Sequence, residues 1–142
     1  MSAHGIGIRA PAGWHRLDPT PSSITDPRTF LVVGTKGVSW DLTSACQIEA
    51  YRIPVDGAVV VVLGWRSVRS AHAAGMPAGR APLMKLVRVS RTFECDPLRR
   101  GAAADVLIGR KVYQVNVLVG DRASVLRVSE ALAVARSFDL SR

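Results

Sequence analysis

Residues 58–63, Ala-Val-Val-Val-Val-Leu, are the longest uninterrupted apolar run in the chain. Six residues fall far short of the ~20 that cross a bilayer as a helix. Four consecutive valines favour strand, because β-branched side chains fit a pleated surface. Apolar residues at both parities leave the strand no wet face. Read with Gly64-Trp65 behind it, the run therefore predicts a central strand over 58–65, buried on both sides. A chain of 142 residues that is 48% apolar is long enough to build the core this strand needs. One domain spanning 1–142 is expected, and a disordered tail is excluded.

The other elements are read around that strand. Ile6 and Ile8 alternate with Gly7 and Arg9 as a short first strand. Pro11-Ala-Gly13 turns the chain into Trp14, and residues 15–28, with Pro19, Pro21 and Pro27, read as a surface loop. The β-branched stretch 29–35 reads as a buried strand, with Trp40 on a turn or short edge strand. Asp41 could cap a helix over 42–52, where Ala45, Ile48, Glu49 and Arg52 recur at helical spacing before Pro54. Residues 66–82, carrying Gly75, Pro77, Gly79 and Pro82, read as a long loop. Residues 83–93 alternate as a strand with a basic face at Arg88 and Arg91, and 98–104 reads as a linker.

Segments 105–108 and 111–119 flank Gly109-Arg110, a two-residue hairpin signal. On the second of these strands, Val112, Gln114 and Asn116 suggest a solvated face opposite Tyr113, Val115, Val117 and Val119. A last helix, capped by Asp121 or Ser124, runs to Phe138 with an apolar stripe of Val125, Val128, Leu132, Ala135 and Phe138. The expected fold is α+β. A largely antiparallel sheet of five to six strands is packed by the C-terminal helix and a shorter helix near 42–52.

The chain carries 19 Lys+Arg against 11 Asp+Glu, a formal net charge of +8. Sixteen of the basic residues are Arg, whose planar fork suits phosphate or carboxylate. A nucleic acid or another polyanion is therefore an alternative partner. The arginines are scattered rather than run together, which matches the compositional bias of a GC-rich genome and does not favour that reading.

Cys46 and Cys95 lie 49 positions apart with no Cys-x-x-Cys and no His at ligand spacing, so no metal site is expected. Either they bridge the two halves of the chain, or they are two buried free thiols. Residues 1–13 hold no apolar core of signal-peptide length, so a cytoplasmic chain is expected as written. An extracytoplasmic location is the alternative if it was cut from a longer exported polypeptide.

Several fragments form a pattern: PAGWH (11–15), Cys46, IPVDGAVVV (53–61), MPAGRAP (76–82), FEC (93–95), GRKVYQVNVLVGDRAS (109–124) and EALAVARSF (130–138). Together they resemble a group of small actinobacterial α+β domains with a P-x-G-W start, two Cys and a closing G-x-x-A strand before a C-terminal helix. A more distant likeness is to the PsbP-like fold, in which a sheet packs against helices and the activity is binding. The resemblance covers most of the chain and implies an extracytoplasmic setting with a Cys46–Cys95 bridge. It implies no chemistry, since Gly109, Gly120, Ala123 and Ser137 match as turn, cap and packing positions.

No dinucleotide fingerprint, phosphate-binding loop, nucleophile elbow or metalloprotease motif occurs. With three His, two of them near the N-terminus, neither a Ser nor a Cys nucleophile has an evident base. The expectation is a non-catalytic binding or interaction module with no catalytic residues and no cofactor. Its partner is a protein or a second copy of itself, and the alternative role is a self-assembling structural subunit. The candidate partner-binding residues surround the long loop: Trp65, Arg66, Arg69, His72, Arg80, Arg88 and Arg91. Trp14 and Trp40 read as plugs at the ends of the core, and Trp65 as the ring best placed to serve a partner.

Overall fold

A computed structural model describes residues 1–73, 95, 98–108 and 110–141. The core is a five-stranded sheet with every neighbouring pair antiparallel. Its order is β3 (Trp14–Leu17), β4 (Arg28–Thr35), β7 (Ala58–Gly64), β9 (Lys111–Val119) and β8 (Arg100–Ile108). The valine run lies at its centre, and every residue of β7 is buried. Ala58, Val60 and Val62 face one core, while Val59, Val61 and Leu63 face the other.

The first core is closed by helix α2 (Val125–Arg136) and by a small sheet of β1 (Ser2–Ala3), β2 (Ile6–Gly7) and β10 (Asp139–Leu140). Ile6 and Ile8 reach into it, and Tyr113 packs edge-on between Phe30 and Phe138. The second core takes Tyr51 from the paired strands β5 (Ser39–Trp40) and β6 (Tyr51–Arg52), Val38 and Ala50 from just before them, and Ala71 from helix α1 (Val68–Ala73). The fold is mixed α+β with largely antiparallel sheets and, among the described residues, two helices, one of them C-terminal.

Four local expectations are corrected. No helix forms over 42–52. The Asp41 carboxylate accepts from the backbone N–H and the hydroxyl of Thr43, and Ser44 Oγ accepts from the N–H of Cys46, so short polar side chains satisfy the backbone in turns instead. The chain then returns as β6, placing Tyr51 in the second core. The short helix lies at 68–73, inside the stretch read as loop, where Ser67 and Ser70 cap each other's backbone at its start. Trp14–Leu17 is strand rather than loop, because pairing with β4 drives Trp14 into the first core. The linker 98–104 is strand from Arg100 onward, since Ala102 and Ala104 are small enough to line the first core beside β9.

The faces of the last two elements also differ from the pattern. Both faces of β9 are covered, and Asn116 is fully buried. On α2 the buried residues are Ala131, Val134 and Ala135, while Val125 stands exposed. The helix begins at the end of the sheet where β9 stops. Its first turn overhangs that end, and only later turns lie on strands β7 and β9. The hairpin joining β8 and β9 has the expected register, with Ile108 opposite Lys111. Gly109 itself, and the strand expected over 83–93, lie outside the described residues.

The two tyrosines are the chain's only phenols, and both are buried. Burial raises the pKa of Tyr51, with the Thr20 N–H bonded to its oxygen pulling the other way, and burial alone raises that of Tyr113. A phenol whose folded pKa is raised above about 10 stays neutral in the fold while the unfolded chain ionises. This contribution to stability is full below about pH 10 and is lost as pH rises toward the folded values. An alkaline titration followed by near-ultraviolet phenolate absorbance should show little ionisation at pH ~10, then a rise that coincides with unfolding. Half-ionisation at pH ~10 with the fold intact would refute the buried placement of both rings.

Candidate interaction surface

The residues singled out around the long loop separate in the structure. Trp65 follows β7, its N–H donating to the Val112 carbonyl, and the indole is buried in the second core. Among the described residues its Nε1 has no hydrogen-bond partner, and the residue is only 7% exposed, so it packs and presents no platform to solvent. Arg66 and Arg69 are exposed beside it, and the Arg66 N–H is held by Asp26 Oδ1 at 2.8 Å. His72 is in α1, with its side chain undescribed. Arg80, Arg88 and Arg91 lie outside the described residues, so only Trp65, Arg66 and Arg69 are shown to be neighbours.

The exposed tryptophan is instead Trp40, with 38% of its surface open. Gly34 on β4 explains how it gets there. The space a Cβ would take at Gly34 is filled by Leu17 Cδ1 and Val38 Cβ, both at 3.1 Å. The absent side chain lets β3 and the 38–40 segment close over the same spot. Trp40 then pairs with Tyr51 across the β5–β6 ladder, and its Nε1 donates to the Asp18 carbonyl at 2.7 Å. The ring is fixed from two sides while one face stays open. With His15, Leu17, Asp18 and Ser39 it lines a groove of about 390 Å³ along β3, an edge strand of the main sheet. Rigid aromatic surface whose polar atom is already satisfied suits contact with another molecule, because little order is lost on binding.

Two other features are chemically quieter. A larger hollow of about 590 Å³ is lined by the small sheet and by Arg9 and Ser137. Its polar groups bond one another: the amino terminus to the Ile8 carbonyl, the Arg9 N–H to Ser137 Oγ, and that hydroxyl to the Arg9 carbonyl. Cys46 and Cys95 are joined as a disulfide with Cα atoms 6.6 Å apart, and Glu49 Oε2 accepts the Cys95 N–H at 3.2 Å. These three side chains place their ligand atoms within 4.8 Å of one another. A metal would require both sulfurs as thiolates, which the disulfide precludes.

Among the described residues, the shifted carboxylate is Asp41. Its pKa is lowered first by the Thr43 hydroxyl, then by the Thr43 N–H, and least by Arg52, whose guanidinium lies 3.8 Å away. That is turn chemistry on an exposed surface. The sequence placed Trp40 on a turn or short edge strand, and the structure has it in the short strand β5. Its exposed, fixed setting was not legible there because the contacts that fix it come from Asp18 and Gly34, neither adjacent in sequence. No helix among the described residues is long and apolar enough to cross a membrane. No protein-family model matches the chain, and no curated protein matches it.

Proposed function

We propose that the chain is a non-catalytic binding module that engages a protein partner through the Trp40 groove. The observation that carries this reading is the fixed, open indole beside an edge strand. A tryptophan anchor next to a strand that is an edge among the described residues can hold an extended segment by side-chain contact and by main-chain hydrogen bonds together. The likeness to small actinobacterial α+β domains, and the more distant one to a fold whose activity is binding, point the same way. Self-assembly is a second reading, supported by β8. This strand is nine residues long, forms the other edge of the sheet among the described residues, and contains no proline to block pairing.

One photocrosslinking experiment separates the two readings. A photoreactive residue at Leu42, exposed and two positions from Trp40, should capture a different polypeptide in the producing cell. Trp40→Ala should weaken that capture about thirtyfold, the loss expected when a ~2 kcal/mol aromatic anchor is removed. The same probe at Ala103 in β8 yields a product of twice the chain's mass if copies assemble along that edge. No adduct at position 42, or one indifferent to Trp40→Ala, would end the first reading.

A further inference from the structure

Five connections meet at one end of the main sheet. They are the turn after β4, the turn before β7, the approach to β8, the loop leaving β9 and the first turn of α2. Hydrogen bonds lock them together. The Gly120 N–H donates to the Gly57 carbonyl and the Arg122 N–H to the Val55 carbonyl, at 2.9 and 2.7 Å. Arg127 Nε reaches the Asp56 carbonyl, and an Arg100 guanidinium nitrogen donates to the carbonyls of Gly120 and Asp121.

This rigid end carries large aliphatic side chains that its own fold does not cover. Leu98 is 86% exposed, Val125 84%, Leu126 82% and Val55 58%. Exposures this high mean that these side chains are largely in water. Around them stand Lys36, Arg99, Arg100, Arg122 and Arg127, against Asp56, Asp121 and Glu130, and Glu130 is engaged by Arg127. Scattered single aliphatic residues are normal on a surface, but four gathered on one cationic end are not.

We infer that this end of the sheet docks on an anionic lipid surface, with Val125 and Leu126 inserting between headgroups while Lys36 and Arg122, both exposed, bind phosphate. Charge disfavours the simplest rival. A symmetric dimer through this patch would set two cationic rims against each other. The excess of basic over acidic side chains favours an anionic occupant. Exposed, separated aliphatic tips match a deformable interface, which needs no complementary shape, better than they match a preformed protein pocket. The inference does not depend on the Trp40 groove, which opens along the β3 edge.

The test is flotation of the full chain with phosphatidylcholine vesicles, with and without phosphatidylglycerol. Binding is expected only to the anionic vesicles, weakening as salt rises. Val125→Ser with Leu126→Ser should lower the affinity at least about tenfold with the fold intact, since both side chains are already in water. Arg122→Glu should weaken binding by a similar factor. In a second readout, Leu126→Cys bearing an environment-sensitive fluorophore should shift to the blue on the vesicles. No binding to anionic vesicles overturns the inference. So does binding that survives the double serine variant, which is the behaviour of a general polyanion binder. Capture by polyglutamate but not by vesicles would assign the patch to an acidic protein and overturn it equally.

Discussion

Gly120→Ala will destabilise the chain by about 3–5 kcal/mol. Gly120 follows β9 and is buried against the turn that opens β7. A Cβ built there would come well inside 3.0 Å of the carbonyl oxygens of Pro54 and Val55. Both obstacles are backbone, so no rotamer change relieves them. Both oxygens are also in use, that of Pro54 by the Gly57 N–H and that of Val55 by the Arg122 N–H. Making room strains or breaks these bonds, each worth about 1 kcal/mol net, in addition to ordinary overpacking of about 1–3 kcal/mol. For a domain of this size, the loss should appear as a fall in Tm of roughly 10–20 °C. Gly7→Ala is the matched control, because its nearest neighbour would be the Met1 carbonyl at an ordinary 3.4 Å. Its Tm should stay within about 3 °C of the parent. If Gly120→Ala melted with the control, the close approach of these two turns would be wrong.

The resemblance treated Gly120 as a turn position, and the structure gives the reason such a position admits only glycine. This is typical of what the chain discloses locally. The valine run, the 29–35 strand, the register of the last hairpin and the closing helix all follow from neighbours in sequence, and all are present. The 42–52 segment failed because two local signals competed. Helical spacing at Ala45, Ile48 and Glu49 was offset by the capping side chains of Asp41 and Ser44, and burial of Tyr51 favoured the extended ladder. The Trp40 groove depended on a glycine in another strand and a carbonyl in another loop. Charge behaved likewise. Along the chain, Lys36, the Arg99–Arg100 pair and the stretch with Arg122 and Arg127 lie far apart, and antiparallel pairing brings their connections to one end of the sheet.

Asn116→Asp should be at least as damaging at neutral pH, and its effect should depend steeply on pH. Sequence alternation put Asn116 on a wet face, yet it is 0% exposed, held between Val61 on β7 and Ala103 on β8. Its amide nitrogen points at the carbonyls of Val61 and Gln114, 3.4 and 3.5 Å away, and among the described residues its Oδ1 has no partner. Aspartate keeps the shape but loses both N–H donors, and it sets a second oxygen against two carbonyl oxygens. Burial without a compensating donor raises a carboxyl pKa by up to about 3–5 units, at 1.36 kcal/mol per unit. At pH 7 at most the ~3 units between the unfolded value and the pH count, so the titration cost there is about 4 kcal/mol. With the folded pKa raised above the unfolded ~3.9, the variant is least penalised below that value, where both states are protonated and the acid can donate one hydrogen bond. Its stability relative to the parent falls as pH rises from ~4 and levels off above the folded pKa. Urea unfolding at pH ~3.5 and pH 7 should show a gap between parent and variant of about 1 kcal/mol at the first, widening to several at the second. Asn116→Leu isolates the polar component. It removes the unpartnered acceptor along with its amide, and is expected within about 1 kcal/mol of the parent at both pH values. An aspartate variant whose gap does not change with pH would mean that position 116 reaches water, and that the second face of β9 is wet as its sequence first suggested.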